Sequence, residues 1–290
     1  MTKSDQTLSF GTVVIVGVGL LGGSLALALR RSGRAARLIG VGRMAERLKS
    51  AQAKGLIDEY ALDVAHVAGR ADIIVFCTPV QKIAQGVLAA AGHCRAGTLI
   101  TDVGSVKAPL CRAVAGKLTE GVTFIGSHPL AGSEKQGFEH ASAKLFRNRL
   151  CVITPDQNAG DVGDQIQRLT AFWEACGAAV RILSSEKHDH IAADISHLPH
   201  LIAATLVMSL NDSNRDWAAT GFRDTTRIAA GDPSIWTDIL IDNSACLLES
   251  LKRFEANLGE FRRAIELGHI EDLTSLLAMA KLKRDELNDA

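Results

Sequence analysis

The 290-residue chain has no net charge at neutral pH, because 32 Lys and Arg balance 32 Asp and Glu. Without a basic excess it carries no electrostatic footprint for nucleic acid or an anionic membrane surface. No uninterrupted apolar run reaches the ~18 residues of a membrane span, so no membrane partner is expected. Residues 1–10 (MTKSDQTLSF) lack the apolar core of a signal peptide. The six cysteines, Cys77, Cys94, Cys111, Cys151, Cys176 and Cys246, form no C-x-x-C and sit mostly among apolar residues. That usage argues against a disulfide framework and for reduced, buried thiols in a cytoplasm. Internal repeats and low-complexity linkers are also missing. What is present is ordinary for a globular chain: 47% apolar residues, enough for a sizeable core, and 22% charged. The length suggests about two domains at roughly 100–200 residues each.

The most informative stretch is Thr12–Gly23, TVVIVGVGLLGG. Val13 to Val16 read as a strand buried on both faces, and Ser24–Arg31 as a helix. Between them Gly17, Gly19 and Gly22 give G-x-G-x-x-G. The first glycine permits a tight turn, the second lets a pyrophosphate approach the backbone, and the third lets helix and strand pack closely. The helix N-terminus then offers free N–H groups and the positive end of its dipole to phosphate. Alone this spacing is weak; between a β-branched run and a helix it points to a bound dinucleotide.

Further strands are expected at Arg37–Val41, Asp72–Cys77, Thr98–Val103, Val122–Gly126, Leu150–Thr154 and Ala178–Leu183, with helical segments between most of them. This alternation predicts a Rossmann-type α/β domain with a doubly wound, mostly parallel sheet. From about Ser184 the strands stop and long helical stretches take over: His188–Leu210, Asn243–Leu267 and Ile270–Asn288. The expected domains are therefore 10–184 for the dinucleotide and 185–290 as an all-α domain. The nucleotide is expected along Gly17, Gly19, Leu20, Leu21 and Gly22 and at the strand ends Gly42, Arg43, Thr78, Pro79 and Val103. An Asp or Glu at the end of the second strand would favour NAD, whereas an Arg there favours the 2′-phosphate of NADP. The strand ends Val41-Gly42-Arg43. That favours NADP over NAD, unless Arg43 is only a solvated residue at a helix start.

Ser105 and His128 lie just past predicted strand ends, where open α/β sheets bind ligands. A histidine there can take a proton from a substrate hydroxyl while hydride leaves the same carbon; the alternative is a loop histidine of no consequence. Pro129 and Gly132 are expected to shape the loop that presents it. His188, His190, Asp194, His197 and His200 could share a helical face. They could serve as metal ligands, line a substrate pocket or pair structurally, and Pro199 is expected to kink their helix. Arg223 and Arg227, four apart, could offer two guanidiniums to a carboxylate, or Asp224 could pair with one of them. Trp236 is expected in the core.

Five motifs in this order resemble one family. They are Gly17–Gly23 (GVGLLGG), Asp102–Lys107 (DVGSVK), Ser127–Lys135 (SHPLAGSEK), Ser196–His200 (SHLPH) and Gly221–Ala229 (GFRDTTRIA), followed by Asp232–Trp236 (DPSIW). Over roughly residues 10–285 the chain resembles the prephenate/arogenate (cyclohexadienyl) dehydrogenases of tyrosine biosynthesis. The resemblance implies an oxidative decarboxylation with hydride transfer from ring C4 to a nicotinamide. It implies His128 as base for the C4 hydroxyl, with Ser105 as its orienting partner. It implies Arg227 as the cation for a substrate carboxylate, with His200 and His197 in the substrate pocket. Glu134 is implied near the pocket entrance and Asp224 beside the arginine region. It also implies a homodimer through the helical half. Some members carry a fused chorismate mutase or a regulatory domain; the sequence stops at Ala290 and is expected to hold neither, which would put any inhibition by tyrosine at the active site. Two other readings stay open: a dehydrogenase of the β-hydroxyacid type, and a non-catalytic NADP-binding sensor.

Overall fold

The computed structural model describes residues 9–132, 135–156 and 162–287. Its packing divides the chain into two compact units, Met1–Asn243 and Ser244–Ala290.

The first unit is built on a six-stranded sheet. Its strands are β1 (Gly11–Val16), β2 (Ala35–Val41), β3 (Glu59–Ala61), β4 (Ile73–Phe76), β5 (Leu99–Asp102) and β6 (Thr123–Phe124). The order β3-β2-β1-β4-β5-β6 is parallel throughout. This is the doubly wound dinucleotide-binding order, with its reversal between β1 and β4. The central strands β4 and β5 are buried throughout and β1 over Val13–Ile15, because helices cover both faces. Alternate residues serve opposite layers. Val13, Ile15, Ile73 and Val75 join the core beneath α1 (Leu20–Ser32). Val14, Ile74 and Phe76 join the core beneath α4 (Val80–Ala91). Between them α2 (Ala45–Ala53) and the single turn α3 (Ala65–Ala68) connect the outer strands. The helix α5 (Ala108–Val114) follows β5.

One expected strand proves to be two. After β6 the chain leaves the main sheet at Ile125 and forms β7 (Gly126–Pro129). β7 pairs antiparallel with β8 (Leu150–Thr154), which pairs parallel with β9 (Ala179–Ile182) in a separate three-stranded sheet. His128 is therefore presented by a strand, where a loop was expected. The reason is long-range pairing: His128 stands opposite Val152, and the Ser127 N–H donates to Asp102 Oδ1 at 3.0 Å. The helix α6 (Gly163–Ala175) carries Phe172 and Trp173 into the core beside this sheet.

From Ser185 every element is helical. The stretch Ser185–Met208 comprises α7 (Ser185–Ala192), a π-helical segment (Ala193–His197) and α8 (Leu198–Met208). Pro199 falls in the first turn of α8. The wider π-turns just before it accommodate a residue that has no N–H to donate, so the helix continues past the proline. Among the described residues this is the one helix apolar and long enough to cross a membrane, by length and composition only. Its His188, Asp189 and His197 are buried and hydrogen-bonded to other elements of the unit. The helices α9 (Thr220–Thr226) and α10 (Pro233–Asp242) complete the unit, and Asp232 caps α10 by accepting from the N–H groups of Ser234 and Ile235. The second unit consists of α11 (Ser244–Leu267) and α12 (Ile270–Glu286), joined through Gly268 in the left-handed conformation. All six cysteines are free.

Candidate active site

At the reversal between β1 and β4 lies a cleft of about 870 Å³. Gly17, Gly19, Gly42, Arg43, Thr78 and Pro79 line it, as the sequence led one to expect, together with Arg47, Asp63 and residues of α10. Leu20 and Leu21 open helix α1 beside it, while Val103 is buried, its N–H bonded to the Phe76 carbonyl. The three glycines act differently. Gly17 has a positive φ of 98°, and a Cβ on it would lie 2.7 Å from the Cys77 carbonyl oxygen. On Gly22 a Cβ would come within 2.2 Å of the Gly17 carbonyl oxygen. On Gly19 it would meet nothing within 4 Å. Two glycines thus close the turn, and the third leaves open space above a helix N-terminus, which fits a pyrophosphate. The buried Thr78 Oγ1 in the same wall has no hydrogen-bond partner among the described residues. These features fit a dinucleotide.

His128 lies at the carboxyl end of β5, where Asp102 organises the backbone. Asp102 accepts from the N–H groups of Ser127 and Gly104 and pairs with the fully buried Lys107, which also donates to the Ser127 carbonyl oxygen at 3.1 Å. Ser127 Oγ in turn accepts from Trp173 Nε1 at 3.1 Å. This network holds the strand from beneath. The His128 ring itself meets a residue that sequence spacing did not single out as its partner: its Nδ1 lies 2.8 Å from His188 Nε2, with the two rings edge to face. His188 Nδ1 is 2.8 Å from Asp189 Oδ1. Asp189 accepts from the backbone N–H groups of Lys107 and Ala108, each at 2.8 Å, so a residue of α7 caps the start of α5. Burial holds His128 well below the usual imidazole range, with His188, Lys107 and His197 adding to the effect. Ser105 is half-buried in the loop after β5, and the described hydrogen bond of the His128 ring goes to His188.

The chain of contacts continues on the other side. Asn243 Nδ2 donates to the Asp189 carbonyl oxygen at 2.8 Å and lies 3.0 Å from His197 Nδ1. Burial lowers His197 to about 4. His200 lies flat on Trp236, centroids 3.5 Å apart and planes 9° from parallel. Burial lowers His200 as well. His197 Nε2 and His200 Nδ1 are buried without a hydrogen-bond partner among the described residues. Such orphaned nitrogens are costly unless a ligand completes them. Trp236, expected in the core, is half-buried and stacked on His200; on its own helix, Ser234, Ile235 and Asp238 line the cleft. Gly231 makes the stack possible, since a Cβ there would lie 2.3 Å from Trp236 Nε1.

Arg227 opens a 3₁₀ turn after α9 and is exposed, as are Arg223 and Asp224. Arg223 Nε donates to the Ala218 carbonyl oxygen at 2.8 Å. Glu134 lies outside the described residues. Among the described residues no three of His, Cys, Asp and Glu gather as a metal site.

A glycine-lined cleft at the reversal of a parallel sheet, in a chain that also buries a histidine held well below its ordinary pKa, fits a nucleotide-dependent dehydrogenase. Comparison with known proteins gives the family. Residues 25–182 match the family model described as prephenate dehydrogenase, nucleotide-binding domain, and residues 184–279 the model described as prephenate dehydrogenase, dimerization domain. The chain is 33% identical to prephenate dehydrogenase of Bacillus subtilis, over 95% of this chain and 76% of that protein. It is 32% identical to cyclohexadienyl dehydrogenase of Zymomonas mobilis, over 88% of this chain and 89% of that protein. The crystal structure of Aquifex aeolicus prephenate dehydrogenase in complex with hydroxyphenyl propionate and NAD+ superimposes with a TM-score of 0.86 at 30% identity, covering 97% of this chain and all of that one. The chain belongs to the prephenate dehydrogenase family and is an NAD(P)-dependent oxidoreductase.

Proposed function

We propose that this protein oxidises and decarboxylates prephenate, arogenate or both, yielding 4-hydroxyphenylpyruvate or tyrosine, as a step of tyrosine biosynthesis. One observation carries the reading: His128 is buried, bonded through one ring nitrogen and kept uncharged at the carboxyl end of the sheet. It is the base for the C4 hydroxyl. The O–H bond breaks toward His128 Nε2, the C4–H pair leaves as hydride, and C4 becomes a carbonyl. The C1–carboxylate bond then breaks, CO2 departs, and its electron pair makes the ring aromatic. The resulting phenolate oxygen takes the proton back. A bound nicotinamide supplies the hydride acceptor.

Ser105 shares the hydroxyl with His128. Arg227 holds a carboxylate, with Asp224 beside it, and His197 and His200 offer their unpartnered nitrogens to the substrate's polar groups. Glu134 joins the pocket entrance by its motif alone. The dinucleotide runs along Gly17, Gly19, Leu20, Leu21 and Gly22, with Thr78, Pro79 and Val103 toward the nicotinamide. Gly42 and Arg43 receive the adenosine ribose. Arg43 and Arg47 line the cleft, and no acidic residue ends β2, which supports NADP as the preferred cofactor over NAD.

The functional division falls near Ser184, with 10–184 for the dinucleotide and 185–290 for substrate and dimerisation. A homodimer in the cytoplasm is the working form. Supporting it are the family description of residues 184–279 and exposed apolar side chains such as Ile195 and Met208. The test is absorbance at 340 nm with prephenate or arogenate, each with NAD+ or NADP+. Reduction in one or more combinations is expected, fastest with NADP+. Silence in all four with the nucleotide bound would reject the reading and favour another dehydrogenase of this fold or a sensor.

A further inference from the structure

With His128 and His188 both neutral, hydrogen atoms along the His128–His188–Asp189 chain have one self-consistent arrangement. Both Asp189 oxygens accept: Oδ1 from the Lys107 N–H and Oδ2 from the Ala108 N–H, each at 2.8 Å. An aspartate used as an acceptor on both oxygens has no hydrogen to give, so the hydrogen in the 2.8 Å contact with His188 sits on His188 Nδ1. A neutral imidazole with its hydrogen on Nδ1 carries a lone pair on Nε2. The 2.8 Å contact to His128 Nδ1 is then donated by His128, which leaves the lone pair of His128 on Nε2. The opposite arrangement would need one more proton on the Asp189–His188 pair and would put a hydrogen on His128 Nε2, where it could accept nothing from a hydroxyl.

We propose that His188 and Asp189 are positioning residues which, in series, hold His128 in the one tautomer able to accept the substrate's hydroxyl proton. The proposal rests on His128 being the base. The logic is that of a carboxylate orienting a catalytic imidazole, with a second imidazole inserted between them. It also explains why α7 is locked to the start of α5: the carboxylate is anchored on two backbone donors and cannot rotate away. The other charged or titratable groups near His128 are Lys107, paired with Asp102, His197, and the Cys151 thiol of the facing strand, which meets the His128 backbone. None of these offers the His128 ring a hydrogen bond among the described residues, so they bias its charge without choosing its tautomer.

The chain has a second consequence during the reaction. When His128 Nε2 takes the proton, positive charge appears at a buried ring beside Lys107. The Asp189 carboxylate, acting through His188, offsets that charge until the proton returns to the product oxygen.

The tautomer can be read directly by long-range 15N–1H NMR on histidine-labelled protein without substrate. His128, assigned by the loss of its signals in His128→Asn, is expected with its hydrogen on Nδ1; a hydrogen on Nε2 overturns the proposal. Kinetics supply the second readout. His188→Leu removes the acceptor and is expected to lower kcat about 10–100-fold and shift the acid limb of kcat/KM, with substrate KM changed less than about threefold. His188→Gln places an amide oxygen where it can accept from His128 Nδ1 and is expected to recover most of the loss. Equal losses in both variants with an unmoved pH profile would mark His188 as merely structural. If neither variant folds, the tautomer of the unaltered protein still decides. Full turnover in His128→Asn would instead overturn the reading of His128 as base; inactive His128→Asn with unimpaired His188→Leu overturns only the positioning role.

Discussion

Trp236 lies flat on His200 at 3.5 Å, and the helix that carries Trp236 also lines the nucleotide cleft through Ser234, Ile235 and Asp238. One residue thus stacks on His200 while its neighbours on the same helix line the cleft. Replacing Trp236 by Ala removes the platform that orients His200. Aromatic pairs of this kind contribute about 0.5–1.5 kcal/mol. Substrate KM is expected to rise up to about tenfold with kcat changed less, and Trp236→Phe to keep most of the affinity. Steady-state kinetics of the two variants check this; an unchanged KM in Trp236→Ala removes the stack from the pocket.

The glycine loop predicts a contrast between two alanine variants. In Gly22→Ala the new methyl meets the Gly17 carbonyl oxygen at 2.2 Å, so the turn must deform and thermal stability falls together with nucleotide affinity. In Gly19→Ala the methyl meets nothing within 4 Å, so the melting temperature stays within a few degrees while it obstructs the pyrophosphate. Nucleotide binding by calorimetry is expected to weaken at least tenfold in both. Equal melting temperatures for the two variants would contradict the division of roles.

Rate should respond to pH with a definite sign. The proposed base His128 would act in its uncharged form, and burial lowers its folded pKa below the ordinary 6.5. kcat/KM therefore holds as pH falls through 6.5 and declines only below it, because the base protonates later than a free imidazole. His128→Asn is expected to lower kcat about 10²–10⁴-fold with the fold intact. A pH–rate profile between 4 and 8 and circular dichroism of the variant measure both.

Stability follows the same direction through His197. Its folded pKa is about 4, against 6.5 for the unfolded chain. Between those values the unfolded state binds the proton and the folded state does not. Stability is fully present above about pH 6.5 and is lost progressively toward pH 4, by at most about 3 kcal/mol from this residue. His128 adds to the loss. Scanning calorimetry should show a melting temperature that falls from pH 7 to pH 5, with a shallower slope in His197→Gln.

Arg43 follows Gly42 at the end of β2, on the wall of the cleft. Arg43→Asp offers a carboxylate to the ribose hydroxyls and repels a 2′-phosphate. The ratio of kcat/KM for NADP+ to that for NAD+ is expected to fall at least tenfold. A constant ratio would leave Arg43 a solvated bystander.

The sequence by itself determined the elements whose causes are local. The β-branched run before Gly17, the glycine spacing, the apolar strand over 73–76, the strand over 99–102 and the helical period beyond Ser184 all have causes within a few residues, and they sufficed for the doubly wound sheet and the helical half. Several residues that line the cleft were also legible, because Thr78, Pro79 and Arg43 lie just past strand ends. Tertiary structure alone decided the rest. The break at Ile125 depends on β8, whose Val152 stands opposite His128. The partner of His128 is 60 residues away, and Asp189 reaches the backbone of Lys107 across 82 residues. Trp236 read as core because an aromatic side chain buries equally well against aliphatic groups or a histidine ring. Periodicity reports which face of an element is buried; it carries no information on which distant polar group meets that face. Hydrogen-bond partners are chosen when the layers close, and that closure set a histidine of a strand against His188.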